Sequence, residues 1–381
     1  MPISLPIDQK SLPRDLQRIP PSSGYPIYST ITLGAETVLQ SESVYGFLSG
    51  CKGKSDDECF LGYNFSTGDY DGIVKYYTIS GTTLSLQDTD TDSTALPYNF
   101  GGDLVKMDTN TFWQIRLRGG MQLRIGSWTG SAMSWGSWSS SLTAAVGQNP
   151  TLTKIGDSKC LLSNNHPSNF NELCVISEIG GTFSKGTTVS YGAYGAGGGI
   201  VWDEDAQVGT AFYNSDGGHV DGALRAFTVS DTTVTLQGTE VTPTVFDNNT
   251  QYYGMPLFAL GGNGRVVARN SANVILDGTS SASGYTEGTS QTADPTKSWI
   301  YGVARTCMQL PGGNQGVALI LNGTSYLCLV DSDMNIIDEE SFAASSSNYA
   351  TARVFLISEG KGVIIYCNSS INPCARVFTL S

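Results

Sequence analysis

The chain has 381 residues, with 21 Lys and Arg against 34 Asp and Glu, for a formal net charge of -13. That balance excludes a nucleic-acid-binding face, which needs clustered cations, and argues equally against adsorption to an anionic membrane. Only 14 % of the residues are charged, and 45 Gly with 14 Pro exclude a mainly helical fold; no run reaches the ~20 apolar residues of a membrane-spanning helix.

Residues 1–25 read as an arm. Pro2, Pro6, Pro13, Pro20 and Pro21 hold it extended. Leu5, Leu12, Leu16 and Ile19 give it apolar handholds, so it is expected to dock into a partner. It lacks the apolar core of a secretory signal. Residues 26–381 form the remaining, β-rich domain, beginning with the strand-like run YSTITLGAETVLQSES.

Eight cysteines follow, most of them in local pairs. Cys51 and Cys59, Cys160 and Cys174, and Cys367 and Cys374 each bracket a polar, turn-rich stretch, and are expected to form disulfides across hairpins. Cys307 and Cys328 fall on strands separated by a third strand, too far apart to bridge. Zinc ligation has little support, because no CxxC occurs and His166 and His219 are the only histidines.

Asp88, Asp90 and Asp92 alternate in QDTDTDST. On a strand they share one side, which makes them a weak calcium candidate. No EF-hand glycine follows them, and solvated acids on an edge strand explain them as well. Trp113, Trp128, Trp135 and Trp138 crowd the next segment. GSWTGSAMSWGSWSSS surrounds the last three with small polar residues, the setting in which indole faces stack on sugar rings. Trp128, Trp135 and Trp138 are therefore the candidate glycan surface, with packing between sheets as the competing role.

The most informative feature is an internal echo. KYYTISGTTLSLQ at 75–87 returns as RAFTVSDTTVTLQ at 225–237, and the chain ends on RVFTLS at 376–381. The starts lie 150 and 151 residues apart, which makes them the first, fourth and seventh copies of a unit of about 50 residues. Weaker hairpin-like copies begin at Met121, Leu173, Ala272 and Tyr326. These hairpins are assigned as the third and outermost strands of each unit. Near-continuous apolar pairs upstream, such as LVKMDT with FWQIRLRG, are its inner two strands. The last unit, 347–381, lacks an outermost strand, and the N-terminal run can supply it.

By period and hairpin shape, residues 28–381 resemble the β-propeller superfamily. The expected fold is all-β, a seven-bladed propeller closed by pairing of N- and C-terminal strands, with eight blades as the alternative count. The WD, kelch and Asp-box signatures are missing: Trp202-Asp203 and Ser215-Asp216-Gly217 are isolated matches. The proline-rich arm and the Ser/Thr/Gly-rich body resemble a virion spike or tail adhesin. That resemblance implies a viral structural protein at the virion surface. It would be held by other virion proteins through the arm and would bind a host-surface glycan or protein receptor, without a cofactor, nucleic acid or membrane insertion.

No chemistry is expected. There is no GxSxG elbow, no dinucleotide or Walker motif, and little from which to build a Ser-His-Asp triad. A glycan-cleaving propeller needs two carboxylates roughly 5–9 Å apart, and no sequence pattern picks such a pair from the 34 acids. It stays as an alternative, with a soluble lectin and a purely structural virion component.

Overall fold

The computed structural model describes residues 25–381 apart from 42–43, 66–71, 93–102, 118–119, 131, 143–147, 167–169, 192–193, 215–221, 244–256, 259–262, 270–273, 293–306, 321–324 and 346–351. Two short N-terminal strands come first, β1 (Ile31–Leu33) and β2 (Thr37–Val38). Blade one is β3 (Val44–Lys52), β4 (Glu58–Phe65), β5 (Gly72–Ser80) and β6 (Thr83–Asp92). Blade two is β7 (Leu104–Lys106), β8 (Thr111–Leu117), β9 (Met121–Trp128) and β10 (Met133–Trp135). Blade three is β11 (Gln148–Gly156), β12 (Lys159–His166), β13 (Phe170–Ile179), β14 (Thr182–Lys185) and β15 (Val189–Tyr191). Blade four is β16 (Tyr194–Asp203), β17 (Val208–Asn214), β18 (Gly222–Ser230) and β19 (Thr233–Val241). Blade five is β20 (Leu257–Phe258), β21 (Arg265–Arg269), β22 (Val274–Ser281) and β23 (Gly284–Thr292). Blade six is β24 (Cys307–Gln309), β25 (Gln315–Ile320), β26 (Ser325–Asp331) and β27 (Ile336–Phe342). Blade seven is β28 (Arg353–Ser358), β29 (Lys361–Cys367) and β30 (Pro373–Leu380), completed by β1 and β2 on the outer edge of β30.

Each blade is an antiparallel sheet, and blades one to six run from innermost to outermost strand in chain order. Second strands are buried on both faces and read as unbroken apolar runs, as in QGVALI of β25. Outermost strands are half solvated and alternate, as in TLSLQDTDTD of β6. The buried apolar residues fall into seven clusters, one at each seam between successive blades. A blade cannot bury both of its apolar faces alone, so the ring is the smallest unit that satisfies all of them.

The echo has a structural cause. Its copies are the third strands β5, β18 and β30 of blades one, four and seven. After β5 the tight turn takes a left-handed residue at Gly81 (φ 60°), and after β18 Asp231 (φ 55°) fills the same place; aspartate tolerates that conformation better than most side chains. Gln87 donates to Thr78 Oγ1 at 3.0 Å and Gln237 to Thr228 Oγ1 at 2.8 Å, the same bond three blades apart. A Gly-x-Glu run then bulges off the third strand in two of the copies. In blade four Tyr213 donates to Glu240 (2.7 Å) and Arg225 to the Gly238 carbonyl (3.1 Å). In blade seven Tyr366 donates to Glu36 and Arg376 to the Gly34 carbonyl (2.6 Å). Burial first, then the carboxylate, pushes both tyrosine hydroxyls far above their ordinary range. A bond set that repeats blade to blade is architecture.

Closure departs from that pattern in a useful way. In blade one the equivalent residues, Tyr63 and Lys75, both donate to the Leu39 carbonyl, which lies where blade seven's outer edge hands the chain to blade one. Desolvation lowers the Lys75 ammonium pKa. Further back, Gln315 grips the Tyr28 backbone with two bonds of 2.8 Å, and Asp338 accepts from Ile31 N at 2.8 Å. The N-terminal run thus supplies only the outermost strand, broken into β1 and β2, and the count of seven blades balances.

Candidate functional site

Antiparallel order puts the two kinds of connection at opposite ends of the ring. The first-to-second and third-to-fourth strand turns lie at one, the turn end. The second-to-third links and the blade-to-blade crossings lie at the other, the connection end. The chain enters the ring at the turn end, where Ser29 N and Thr30 N both bond the Ser381 carbonyl. Leu5, Leu12, Leu16 and Ile19 lie outside the described residues, as does His219. His166 closes β12, and its side chain is not described.

The acidic ladder is not a calcium site. Its three carboxylates do share one side of β6, and all three are spent on blade two. Asp88 accepts from Met133 N (2.8 Å), Asp90 from Arg124 (2.6 Å) and Asp92 from Arg116. Among the described residues no cluster of three or more His, Cys, Asp or Glu could hold a metal ion.

The same two arginines occupy the tryptophans. Arg124 lies 3.8 Å from the ring centre of Trp135 and 4.6 Å from that of Trp138, and Arg116 lies 3.9 Å from Trp138. Indole and guanidinium alternate along this edge, held by Asp90 and Asp92. Trp128 is only 7 % exposed; its ring packs on Tyr76 at 3.7 Å in the cluster that joins blades one and two. Its side chain fills a seam, so Trp128 offers no open face to a sugar.

The three expected disulfides are absent: all eight cysteines are thiols. Register explains two of the pairs. Cys51 faces Phe60 and Cys59 faces Lys52, so the two sulfurs project from opposite faces into different seams. Cys367 and Cys374 are offset in the same way, toward different clusters. Cys160 and Cys174 share a face but stand diagonally, opposite Ile176 and Leu162. Cys307 and Cys328 do flank a third strand, both paired to Ala318. Burial pushes the Cys174 and Cys367 thiols up to about 12, so they stay protonated and inert.

A different set of polar residues gathers at the connection end, on the β12–β13 hairpin of blade three. This hairpin carries Ser163, Asn164, Asn171 and Glu172 at its strand ends. Asn164 and Glu172 are directly opposed cross-strand partners and therefore share a face. Cys174 and Ile176 on that face pack against blade two, which puts the pair in the seam of blades two and three. A bulge in β11 sits opposite Asn164, where register skips from Gln148 to Thr151. Asp103, 2 % exposed at the start of blade two's innermost strand, reaches into this seam. It accepts from Leu104 N (2.9 Å) and from Leu152 N of blade three (2.8 Å). Leu152 is paired with Leu162, two residues from Asn164.

Asn164 is 2 % exposed, and neither its amide nitrogen nor its oxygen has a partner among the described residues. Leaving such a group buried and unpaired costs about 1–3 kcal/mol. Asn171, 1 % exposed on the opposite face, is in the same condition beside the Ser163–Tyr191 hydroxyl pair at 2.9 Å. Unlike the Tyr–Glu–Arg sets, this arrangement is confined to one hairpin. An amide and a carboxylate stand opposite each other in the seam that also holds Asp103, a combination able to activate a water and to donate to a carbonyl oxygen. In the sequence this hairpin appears only as the polar stretch between Cys160 and Cys174.

The architecture is that of a seven-bladed β-propeller with a polar seam at its connection end. No protein-family model matches the chain, and no curated protein matches it. Solved structures do. A periplasmic gluconolactonase of Pseudomonas aeruginosa, PpgL, is 10 % identical, with a TM-score of 0.50 over 78 % of this chain and 84 % of that one. A "putative 6-phosphogluconolactonase" of Bacteroides fragilis is 14 % identical, with a TM-score of 0.51 over 77 % and 86 %. A protein of the same description from Bacteroides uniformis is 10 % identical, with a TM-score of 0.52 over 77 % and 83 %. At these identities the likeness is one of fold. It nevertheless corrects two expectations. The structures that share this ring carry the names of enzymes, so the reading without chemistry, built on missing nucleophile motifs, does not stand. None of the three is a virion protein, and the spike or adhesin reading gains nothing from them.

Proposed function

We propose that the protein is a propeller hydrolase that opens the lactone of a sugar acid at the connection end, in the seam of blades two and three. The observation that carries this reading is Asn164, buried with both amide atoms unpartnered among the described residues and opposite Glu172, in the seam where Asp103 accepts from Leu152 N. The names of the three ring-sharing structures supply the reaction class. A location outside the cytoplasm goes with the same reading, after the periplasmic Pseudomonas protein.

Lactone opening asks for a carboxylate that takes a proton from water and a donor that meets the carbonyl oxygen as it becomes an oxyanion. Glu172 is the base and Asn164 Nδ2 the donor. Water adds to the carbonyl carbon, the ring C–O bond breaks, and the proton held by Glu172 passes to the departing ring oxygen, giving the hydroxy acid. Asp103 is fixed in the same seam by the backbone N–H groups of Leu104 and Leu152. The arm at residues 1–25 is kept as a docking element. Because the chain enters at the turn end, a partner held there leaves the seam open.

The test is acid release from D-glucono-1,5-lactone, followed by titration at constant pH against the spontaneous rate. The full chain is expected to accelerate opening. Glu172→Gln is expected to lower kcat about a hundredfold with an unchanged circular dichroism spectrum. A wild-type rate equal to the spontaneous one, or full activity in Glu172→Gln, overturns the reading.

A further inference from the structure

We infer that the seam of blades three and four holds a second binding recess at the connection end, and that it takes an uncharged ligand with neighbouring hydroxyls, a sugar or a polyol. The inference stands whether or not the other seam opens lactones. Its centre is Asn171, 1 % exposed, whose amide nitrogen and oxygen have no partner among the described residues. Leu173 and Val175, on the same face of β13, fall in one cluster with Ala211, Tyr213 and Ala223 of blade four. Asn171 is thereby turned toward blade four. Tyr191 of the outer strand β15 is opposed to Asn171 and shares its face. The Tyr191 hydroxyl reaches across β13 to Ser163 of β12, at 2.9 Å. Three uncharged polar side chains gather in this way near the closed end of the hairpin, where His166 and Phe170 form the last pair.

Blade four leaves room beside them. Its innermost strand β16 packs on β12 and β13. It begins YGAGGG, so Gly195, Gly197, Gly198 and Gly199 bring no side chain to the seam. The strand also bulges there, since its register with β17 skips from Tyr194 to Gly199. Glycine in a bulged strand marks a place where a ligand or another backbone comes close. The chemistry of the three side chains favours hydroxyls. A primary amide presents a donor and an acceptor side by side, the complement of two adjacent hydroxyls. Within the Ser163–Tyr191 pair one hydroxyl donates to the other, which leaves the second hydrogen and further lone pairs for a ligand. Burial pushes the Tyr191 hydroxyl up to about 12, so it remains a neutral donor. A lone buried water also suits such atoms, and titration with a sugar tells the two apart.

The experiment titrates D-glucose into the full chain, followed by calorimetry, with Asn171→Leu, Ser163→Ala and Asn164→Leu measured alongside. Saturable binding is expected, weakened at least tenfold in Asn171→Leu and severalfold in Ser163→Ala. Asn164→Leu, which alters the other seam, is expected to bind like the wild type. Thermal melts show which variants fold, and if Asn171→Leu does not, the milder Ser163→Ala carries the comparison. Absence of saturable binding to the wild type overturns the inference and leaves the hydrolase reading standing. Binding undiminished in Asn171→Leu also overturns it. Loss of binding in Asn164→Leu with full binding in Asn171→Leu overturns it too, by placing the sugar in the seam of blades two and three.

Discussion

Deleting residues 1–39 is expected to abolish cooperative folding. The cut removes β1, β2 and the anchors around them. Tyr28 and Ile31 leave the cluster of blades six and seven, and Leu39 leaves that of blades seven and one. Full burial of each large apolar side chain is worth about 1.5–3 kcal/mol, so three of them approach the 5–15 kcal/mol margin of a whole domain. Polar losses add to this. Gln315, Asp338, Tyr366, Arg376 and Lys75 each lose a bonding partner in the segment. The outer edge of β30 is also laid open to other chains, an invitation to aggregate. Thermal melts with light scattering read both effects. A 1–39 deletion that melts like the full chain would show that the ring does not depend on this closure.

Trp128→Ala is expected to destabilise the protein by about 3–5 kcal/mol, the usual cost of truncating a buried aromatic. Its ring stacks on Tyr76 and meets Phe60 edge-on at 6.4 Å, with Phe112 in the same cluster. The cavity would open between two blades whose backbones are fixed by their own ladders, and such a site collapses poorly. Trp138→Ala, at a half-buried position, should cost much less. Denaturant unfolding of both variants gives the comparison. A loss below about 1 kcal/mol at Trp128 would contradict its place in the seam.

The ring was legible because its signals are local and repeated. The 150-residue echo marks the third strands of blades one, four and seven, and the N-terminal strand finds its place because the last unit is one strand short. What escaped depends on facing. Asp90 and Arg124 are 34 residues apart and meet only because consecutive blades stack; nothing in QDTDTDST names that partner. The spacing of Cys51 and Cys59 fits a hairpin bridge, but a one-residue offset in register sends the sulfurs to opposite faces. The Trp135 and Trp138 stretch has the composition of a sugar platform, while arginines from other strands cover the rings. The candidate seam joins Asp103, Asn164 and Glu172 through a bulge and a blade contact, neither of which has a period to detect.

Asn164→Leu tests the central claim most directly, through melting temperature and gluconolactone turnover measured on the same sample. Leucine keeps the side-chain shape and removes two polar atoms that have no partner among the described residues. If the amide is held unpaired for a substrate, the variant melts higher by a few degrees and loses turnover about a hundredfold, the trade expected where stability is given up for a site. A variant that melts lower and turns over the lactone at the wild-type rate would mean that the amide is paired within the fold, and that the chemistry does not lie in this seam.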